Sequence, residues 1–307
     1  MIARFMLVSD DNYVNNLGVC TYSIMHNNCP NVDKLVIYVM NCGISEENKA
    51  KLVKQAERFD NAEMFFYDIN AFLDSVMPKV KTHWNRSIYG RLFLKELAEQ
   101  YPDIDRIVYL DCDIIVDQPL TELFEMDMKG KCLAGVRDCD EIPRKKELKM
   151  SEDDIYINSG TLVIDVKRWV ELDAGNRIID YINSYSNKFN YPDQDAINIV
   201  LCGEITTLPL EYNMMWMICD RDIPKIKKEL DTEYTAEEIH YALHNAKIIH
   251  FARHDMWSMY GNTSIPTRAF KKYKKLSDWK HCRRKFHSIK EFIIWSGVVV
   301  KRKLYRD

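Results

Sequence analysis

Two aspartates two positions apart, Asp111 and Asp113, follow the apolar run RIVYL. Side chains at i and i+2 of an extended strand share a face, so both carboxylates would project together from a strand that is otherwise hydrocarbon. Like charges held that close repel, and a divalent cation between them removes the cost. Oxygen ligands suit Mg2+ or Mn2+, and one added imidazole tilts the choice toward Mn2+. His250, inside the run KIIHF, is the best candidate for that imidazole. Each feature has a bland reading by itself: Asp-x-Asp occurs as a loop cap, and a lone His on an apolar strand is commonly a core residue. Position directly after a buried strand is what favours the metal reading. An Asn, Asp and Gln set, Asn158, Asp193 and Gln194, lies between the two elements in sequence.

The elements that must position these residues alternate. ARFMLV reads as a buried strand stopping at the polar loop SDDNY, and 14–26 as a helix. KLVIYVM (34–40) is a second strand, SEENKAKLVKQAERF (45–59) a helix with Ser45 as N-cap, and AEMFFYDI (62–69) a third strand. NRSIYGRLFLKELAEQ (85–100) has amphipathic helical spacing, and RIVYLD (106–111) is the fourth strand. CLAGVRD (132–138) follows, then a charged stretch (140–154) expected as a surface loop or short polar helix. YINSGTLVIDVKRW (156–169) starts as a strand, 167–184 continues as a helix, QDAINIVL (194–201) is helical and KIIHF (247–251) is a late strand. Strands alternating with helices predict an α/β fold with a mostly parallel sheet. Ligands of such sheets bind beyond the carboxyl ends of the strands, where Asp10 and Asp111 would face one crevice.

The bulk properties exclude several classes. A chain of 307 residues, 47% hydrophobic, can bury a sizeable core. No apolar run is long enough to span a bilayer, and the first residues meet acids too early for a secretory leader. Nine cysteines, an odd number without C-x-x-C spacing, argue for reduced thiols rather than zinc or a disulfide framework. The expected compartment is the cytoplasm. Charge is segregated within a net −3: from Thr267 onward there are 14 Lys/Arg against 3 Asp/Glu, leaving an acidic body. The expected organisation is therefore an acidic α/β body over 1–265 and a basic, aromatic helical tail over 266–307. Its Lys/Arg clusters alternate with Trp279, Phe286, Phe292 and Trp295. That pattern suits peripheral attachment to an anionic membrane surface, on its inner face, or a solvated helix packed on the body. No nucleic-acid motif accompanies it.

Five segments, in order, resemble glycosyltransferase family 8, and within it the bacterial lipopolysaccharide galactosyl- and glucosyltransferases, with glycogenin more distant. They are SDDNY (9–13), SIYGRLFL (87–94), VYLDCDIIV (108–116), YINSGTLVIDVKRW (156–169) and YPDQDAIN (191–198). The resemblance runs from Leu7 to about Trp257. It implies a Rossmann-like fold of GT-A type and a retaining transfer from a UDP-hexose. It implies that Asp111, Asp113 and His250 bind Mn2+, and that Asp10, Asn12 and Tyr13 touch the uridine. It places Arg91, Asp138, Asn158, Asp193 and Gln194 around the donor sugar. One motif departs: the family's His-x-x-Gly-x-x-Lys-Pro-Trp is replaced by HFARHDMW (250–257), one residue shorter and without Gly, Lys or Pro. Arg253 is the candidate replacement cation for the donor phosphates.

The chemistry of such a transfer matches these residue types. Departure of UDP puts negative charge on the β-phosphate, which a divalent ion neutralises as a Lewis acid. The sugar becomes oxocarbenium-like, and a carboxylate or amide oxygen stabilises it. Two mechanisms stand: front-face attack with Gln194 supporting the positive centre, or double displacement through Asp193. Asp195 reads as structural. Trp216 could line the acceptor side or pack in the core. Two other functional readings remain from sequence: a UDP-sugar-binding protein that has lost turnover, and a metal-dependent phosphosugar phosphatase. The acceptor, a glycan or lipid-linked molecule, is left unnamed.

Overall fold

A computed structural model describes residues 1–76, 86–185, 191–219, 223, 226, 232–252, 256 and 265–282. Strand β1 (Ile2–Ser9) is followed by helix α1 (Val14–Asn28), β2 (Lys34–Asn41), helix α2 (Glu46–Ala56) and β3 (Ala62–Asp68). Strands β4 (Arg106–Leu110), β5 (Ile114–Val116), β6 (Leu133–Arg137), β7 (Ile157–Asp165), β8 (Ile205–Thr207), β9 (Met214–Met215) and β10 (Ile248–His250) complete two sheets. The larger has the order β3-β2-β1-β4-β7-β6-β8, and the smaller the order β5-β10-β9. In the larger sheet only the pairings of β7, with β4 and with β6, are antiparallel. The α/β, mostly parallel architecture expected from the alternation is thus present.

The apolar runs form strands for the expected reason. β1, β2 and β4 lie inside the sheet with helices on both faces, so nearly every residue is buried. β3 is an edge strand and alternates between exposed and half-buried positions. Two hydrophobic layers result. One packs α1 and the smaller sheet against one face, with Leu17, Ile24 and Ile249 among its members; the other packs Tyr89, Leu97 and Trp169 against the opposite face.

Three local differences bear on the site. The segment expected as one amphipathic helix over 85–100 is a 3-10 helix over Arg86–Phe93 followed by an α-helix over Leu94–Gln100. Gly90 there lies so close to β1 that an added Cβ would meet the Val8 side chain at 2.6 Å and Ile69 at 2.8 Å. The charged stretch forms a helix, Glu141–Leu148, that is not a surface feature throughout: Glu141, Arg144 and Lys145 are buried. And the first part of the basic tail is docked on the body. Helix Ile265–Leu276 buries Phe270 and Tyr273, and Trp279 is 1% exposed with its indole seated where a side chain on Gly18 would be. Trp279 is therefore core, and is not presented to a membrane surface. Phe286, Phe292 and Trp295 lie outside the described residues. Among the described residues no helix is long and apolar enough to cross a membrane, and all nine cysteines are free thiols.

Candidate active site

β1 and β4 are parallel neighbours, so Asp10 and Asp111 emerge at the same edge of the sheet. Asp10 ends β1 by accepting the backbone N–H groups of Asn12 (3.0 Å) and Tyr13 (3.1 Å) and the Asn12 side-chain amide (3.2 Å), which shapes the turn into α1. Tyr13 is 52% exposed at the start of that helix. Asp11, beside them, accepts from the Ser45 and Asn48 side chains and ties the same turn to α2.

Asp111 and Asp113 bracket the turn from β4 into β5, which starts the smaller sheet. β10 pairs antiparallel with β5, His250 standing opposite Ile114. That register delivers the imidazole to the two carboxylates. His250 Nε2 is 3.3 Å from Asp113 Oδ1 and 3.9 Å from Asp111 Oδ2, and the three side chains can offer ligand atoms all within 4.8 Å of one another. Burial favours the neutral ring, but Asp113 and Asp111 outweigh it and hold the imidazole above its usual value. The other ring nitrogen, Nδ1, donates to Asn213 Oδ1 at 2.9 Å, which leaves Nε2 as the nitrogen facing the carboxylates. A hydrogen-bonded outer partner of this kind is what sets the tautomer and aim of a metal-binding imidazole. Asn213 is fully buried, and its amide donates to Asn158 Oδ1. The donor set, two carboxylates and one oriented imidazole with ligand atoms within 4.8 Å of one another, fits a divalent cation such as Mn2+ or Mg2+.

Space for the imidazole comes from Gly160 in β7. A Cβ there would sit 2.3 Å from His250 Cε1. The same glycine accepts the Asp111 backbone N–H at 2.9 Å, so one residue both admits the ring and fixes the carboxylate's backbone.

Arg91 is buried between the acids. Its Nη2 reaches Asp111 Oδ1 and Asp193 Oδ2, each at 3.1 Å, and its Nη1 donates to the Ser159 carbonyl at 2.6 Å. The guanidinium lies over the Tyr109 ring, and the Tyr109 hydroxyl donates to Asp111 Oδ1 at 2.7 Å. Asp111 thus spends Oδ1 on two donors and keeps Oδ2 toward His250. Burial pushes the Asp193 carboxyl above the usual carboxylate range, with Arg91 opposing.

Gln194 opens the helix Pro192–Val200, whose first turn carries Asp193 and Asp195. Its Oε1 accepts from the Ser159 backbone N–H (3.0 Å) and Asn158 Nδ2 (3.2 Å); its Nε2 donates to Asp138 Oδ2 (3.1 Å) and the Tyr156 hydroxyl (3.0 Å). Asp138 also accepts from Asn158 at 2.9 Å. Asp111, Asp113, His250, Asn213, Asn158, Asp138, Gln194, Arg91 and Asp193 therefore form one continuous polar network, while Asp10, Asn12 and Tyr13 stand at the same edge of the sheet. Arg253 lies outside the described residues.

Asn213, Gly160, Tyr109, Tyr156 and Arg144 did not announce themselves in sequence. Asn213, Gly160, Tyr156 and Arg144 act through contacts between elements far apart in the chain, which spacing does not encode, and Tyr109 through the turn of Asp111 and the stacked Arg91. Tyr109, Tyr156 and Gly160 sat inside segments already singled out, without a role of their own. Trp216 is half-buried and packs against the first hydrophobic layer.

A Rossmann-like sheet with paired aspartates and a histidine gathered past its strand ends defines a GT-A-type protein, and solved structures share this fold. The galactosyltransferase LgtC in complex with donor and acceptor sugar analogs superposes with a TM-score of 0.72 at 21% identity, covering 97% of this chain and all of that one. The bifunctional glycosyltransferase WbbM does so at 0.74 and 24% identity, covering 91% of this chain and 50% of that one. The family model for glycosyl transferase family 8 matches residues 5–255, and the chain belongs to that family. The lipopolysaccharide 1,2-glucosyltransferase of Escherichia coli (strain K12) is 31% identical over 214 residues. That match takes in 68% of this chain but only 61% of the relative's length. General stress protein A of Bacillus subtilis (strain 168) is 26% identical over 271 residues, 87% of this chain and 91% of the relative.

Proposed function

We propose that this protein is a retaining hexosyltransferase that moves glucose or galactose from a UDP-sugar to a glycan or lipid-linked acceptor, with Mn2+ or Mg2+ as cofactor. The observation that carries the reading is the convergence of Asp111, Asp113 and His250 on one point at the carboxyl ends of β1 and β4. Family membership and the sugar-transferring relatives support it. Asp111, Asp113 and His250 would hold the cation, which supplies Lewis-acid neutralisation to a departing diphosphate.

The chain's own residues do the rest. Asp10, Asn12 and Tyr13 receive the uridine at the head of α1. Arg91 keeps Asp111 aimed and Asp193 paired. Asp138, Asn158 and Gln194 surround the sugar, and Arg253 is assigned to the donor phosphates. The Gln194 carbonyl oxygen already accepts three hydrogen bonds, from the Ser159 N–H and hydroxyl and from Asn158, which suits it to electrostatic support of an oxocarbenium-like carbon and not to bond formation. Asp193 is paired with a buried guanidinium that it shares with Asp111, which weakens it as a nucleophile. Both points favour front-face attack over double displacement. The basic segment beyond Cys282 is assigned to an anionic membrane surface carrying the acceptor, tested by cosedimentation with anionic and zwitterionic vesicles.

The decisive experiment is UDP release from a panel of UDP-sugars with Mn2+, with Mg2+ and with EDTA. Metal-dependent release from UDP-glucose or UDP-galactose is expected. Phosphate release from phosphosugars, with UDP-sugars untouched, would overturn the reading; tight UDP binding without release would make the protein a donor-binding one.

A further inference from the structure

An ion pair, Arg144–Asp195, is linked to Gln194 through the Tyr156 hydroxyl. Asp195 is fully buried, and its carboxylate accepts from Arg144 Nη2 (2.5 Å) and Nε (3.3 Å), from the Tyr191 backbone N–H (3.1 Å) and from the Tyr156 hydroxyl (2.6 Å). Tyr156 is fully buried as well, and Arg144 nearly so. A buried ion pair is weak support for stability, because desolvation offsets most of its attraction. Its link through Tyr156 to Gln194 asks for another role.

We propose that Arg144, Asp195 and Tyr156 form a positioning relay that sets which end of the Gln194 amide faces the donor sugar. The inference rests on the transfer reading for its kinetic consequence, but the relay itself follows from hydrogen-bond polarity. Arg144 has donors only and an ionised carboxylate has acceptors only. Tyr156 has one proton, and Asp195 takes it. The Tyr156 oxygen can then only accept from Gln194, so the group 3.0 Å away must be the amide nitrogen. The second amide proton goes to Asp138 Oδ2, and the carbonyl oxygen is left to the N–H and hydroxyl of Ser159 and the amide of Asn158. A flipped amide would set oxygen against the Asp138 carboxylate and against a tyrosine oxygen with no proton to give. It would also set NH2 against the Ser159 N–H. Arg144 thus reinforces, through Asp195 and Tyr156, an amide direction that the Asp138 carboxylate and the Ser159 N–H also favour. It comes from helix Glu141–Leu148, part of a stretch whose sequence reads as solvated.

Tyr156→Phe removes the acceptor, and Asp195→Asn introduces a donor that lets Tyr156 reverse its hydrogen bond. Both variants are expected to lower kcat about 10–100-fold, with the donor KM and the affinity for UDP changed less than about twofold; a purely structural role would move all three with the melting temperature. In a Gln194→Ala background, Tyr156→Phe should have no further effect on kcat, because the relay would have nothing left to orient. An independent readout is the side-chain NH2 signal of Gln194 in protein labelled with 15N-glutamine, assigned by its disappearance in Gln194→Ala. That signal should shift in both relay variants. The proposal is overturned if the Gln194 signal stays in place, or if Tyr156→Phe costs the same factor of kcat with and without Gln194. Should the unmodified chain release UDP from no UDP-sugar while the Gln194 signal still moves, the transfer reading falls and the relay stands.

Discussion

At the scale of single residues, the site is governed by how lone pairs and protons are allotted. His250 has one nitrogen for Asn213 and one for the carboxylates; Asp111 has one oxygen for Arg91 and Tyr109 and one left over. Asn213 is the inexpensive place to disturb this, since it touches no acid. Asn213→Ala should leave Nδ1 without its acceptor and let the ring turn, lowering Mn2+ affinity about 10–100-fold, measured by titration calorimetry. An unchanged affinity would mean that packing alone aims the ring. Glu141 offers a pH test away from the metal cluster. Burial raises its carboxyl above the usual range, with Arg137, the Tyr156 N–H and Lys145 opposing. The folded chain therefore holds this proton at pH values where the unfolded chain, at about pH 4.3, has lost it. Ionising Glu141 costs stability as pH rises through that window. The stability of the natural chain relative to Glu141→Gln should accordingly fall as pH rises from about 4 to 7, read from urea midpoints at each pH.

At the scale of elements, the strands act as rails. The pairing of β10 with β5 brings His250 to Asp113 across more than a hundred residues of sequence, and β7 passes close enough that only glycine fits at position 160. Gly160→Ala forces the imidazole aside or pushes β7 away from Asp111. The expected result is overpacking of about 1–3 kcal/mol together with weaker Mn2+ binding, seen as a lower melting temperature and a smaller calorimetric signal. Metal affinity equal to that of the natural chain would show that the ring has room to spare. The segment Arg86–Phe93 makes the complementary point: its apolar spacing is helical, yet it winds as a 3-10 helix against β1 while Arg91 reaches the acids.

At the scale of the whole molecule, the two sheets join through the very turn that holds the aspartates, so metal binding and folding should be linked. A ligand that binds only the folded chain stabilises it by about 2.7 kcal/mol at a hundredfold excess over its Kd. Mn2+ should therefore raise the melting temperature, EDTA should reverse the gain, and Asp113→Asn should abolish it. The docked C-terminal segment is a second whole-molecule feature. Trp279 fills the gap left by Gly18, with the Lys51 ammonium over its ring, and Arg58 pairs with Asp278. Trp279→Ala should cost about 3–5 kcal/mol, measured by urea unfolding; a loss under 1 kcal/mol would show the segment to be loosely held.

The amino-acid sequence by itself determined the alternation of strands and helices, because buried strands need continuous apolar runs and helices need their own spacing. It also determined which residue types stand at strand ends, and so the paired aspartates, Asp10 and the Asp193–Gln194 step. It did not reveal that Asn213 aims His250, that Gly160 makes room for it, that Arg91 joins Asp111 to Asp193, or that a charged, solvated-looking stretch sends Arg144 into the interior. Those depend on register and on distances between elements remote in the chain. Local propensity is a property of neighbours in sequence, whereas the direction of a hydrogen bond between distant side chains exists only once the elements have packed.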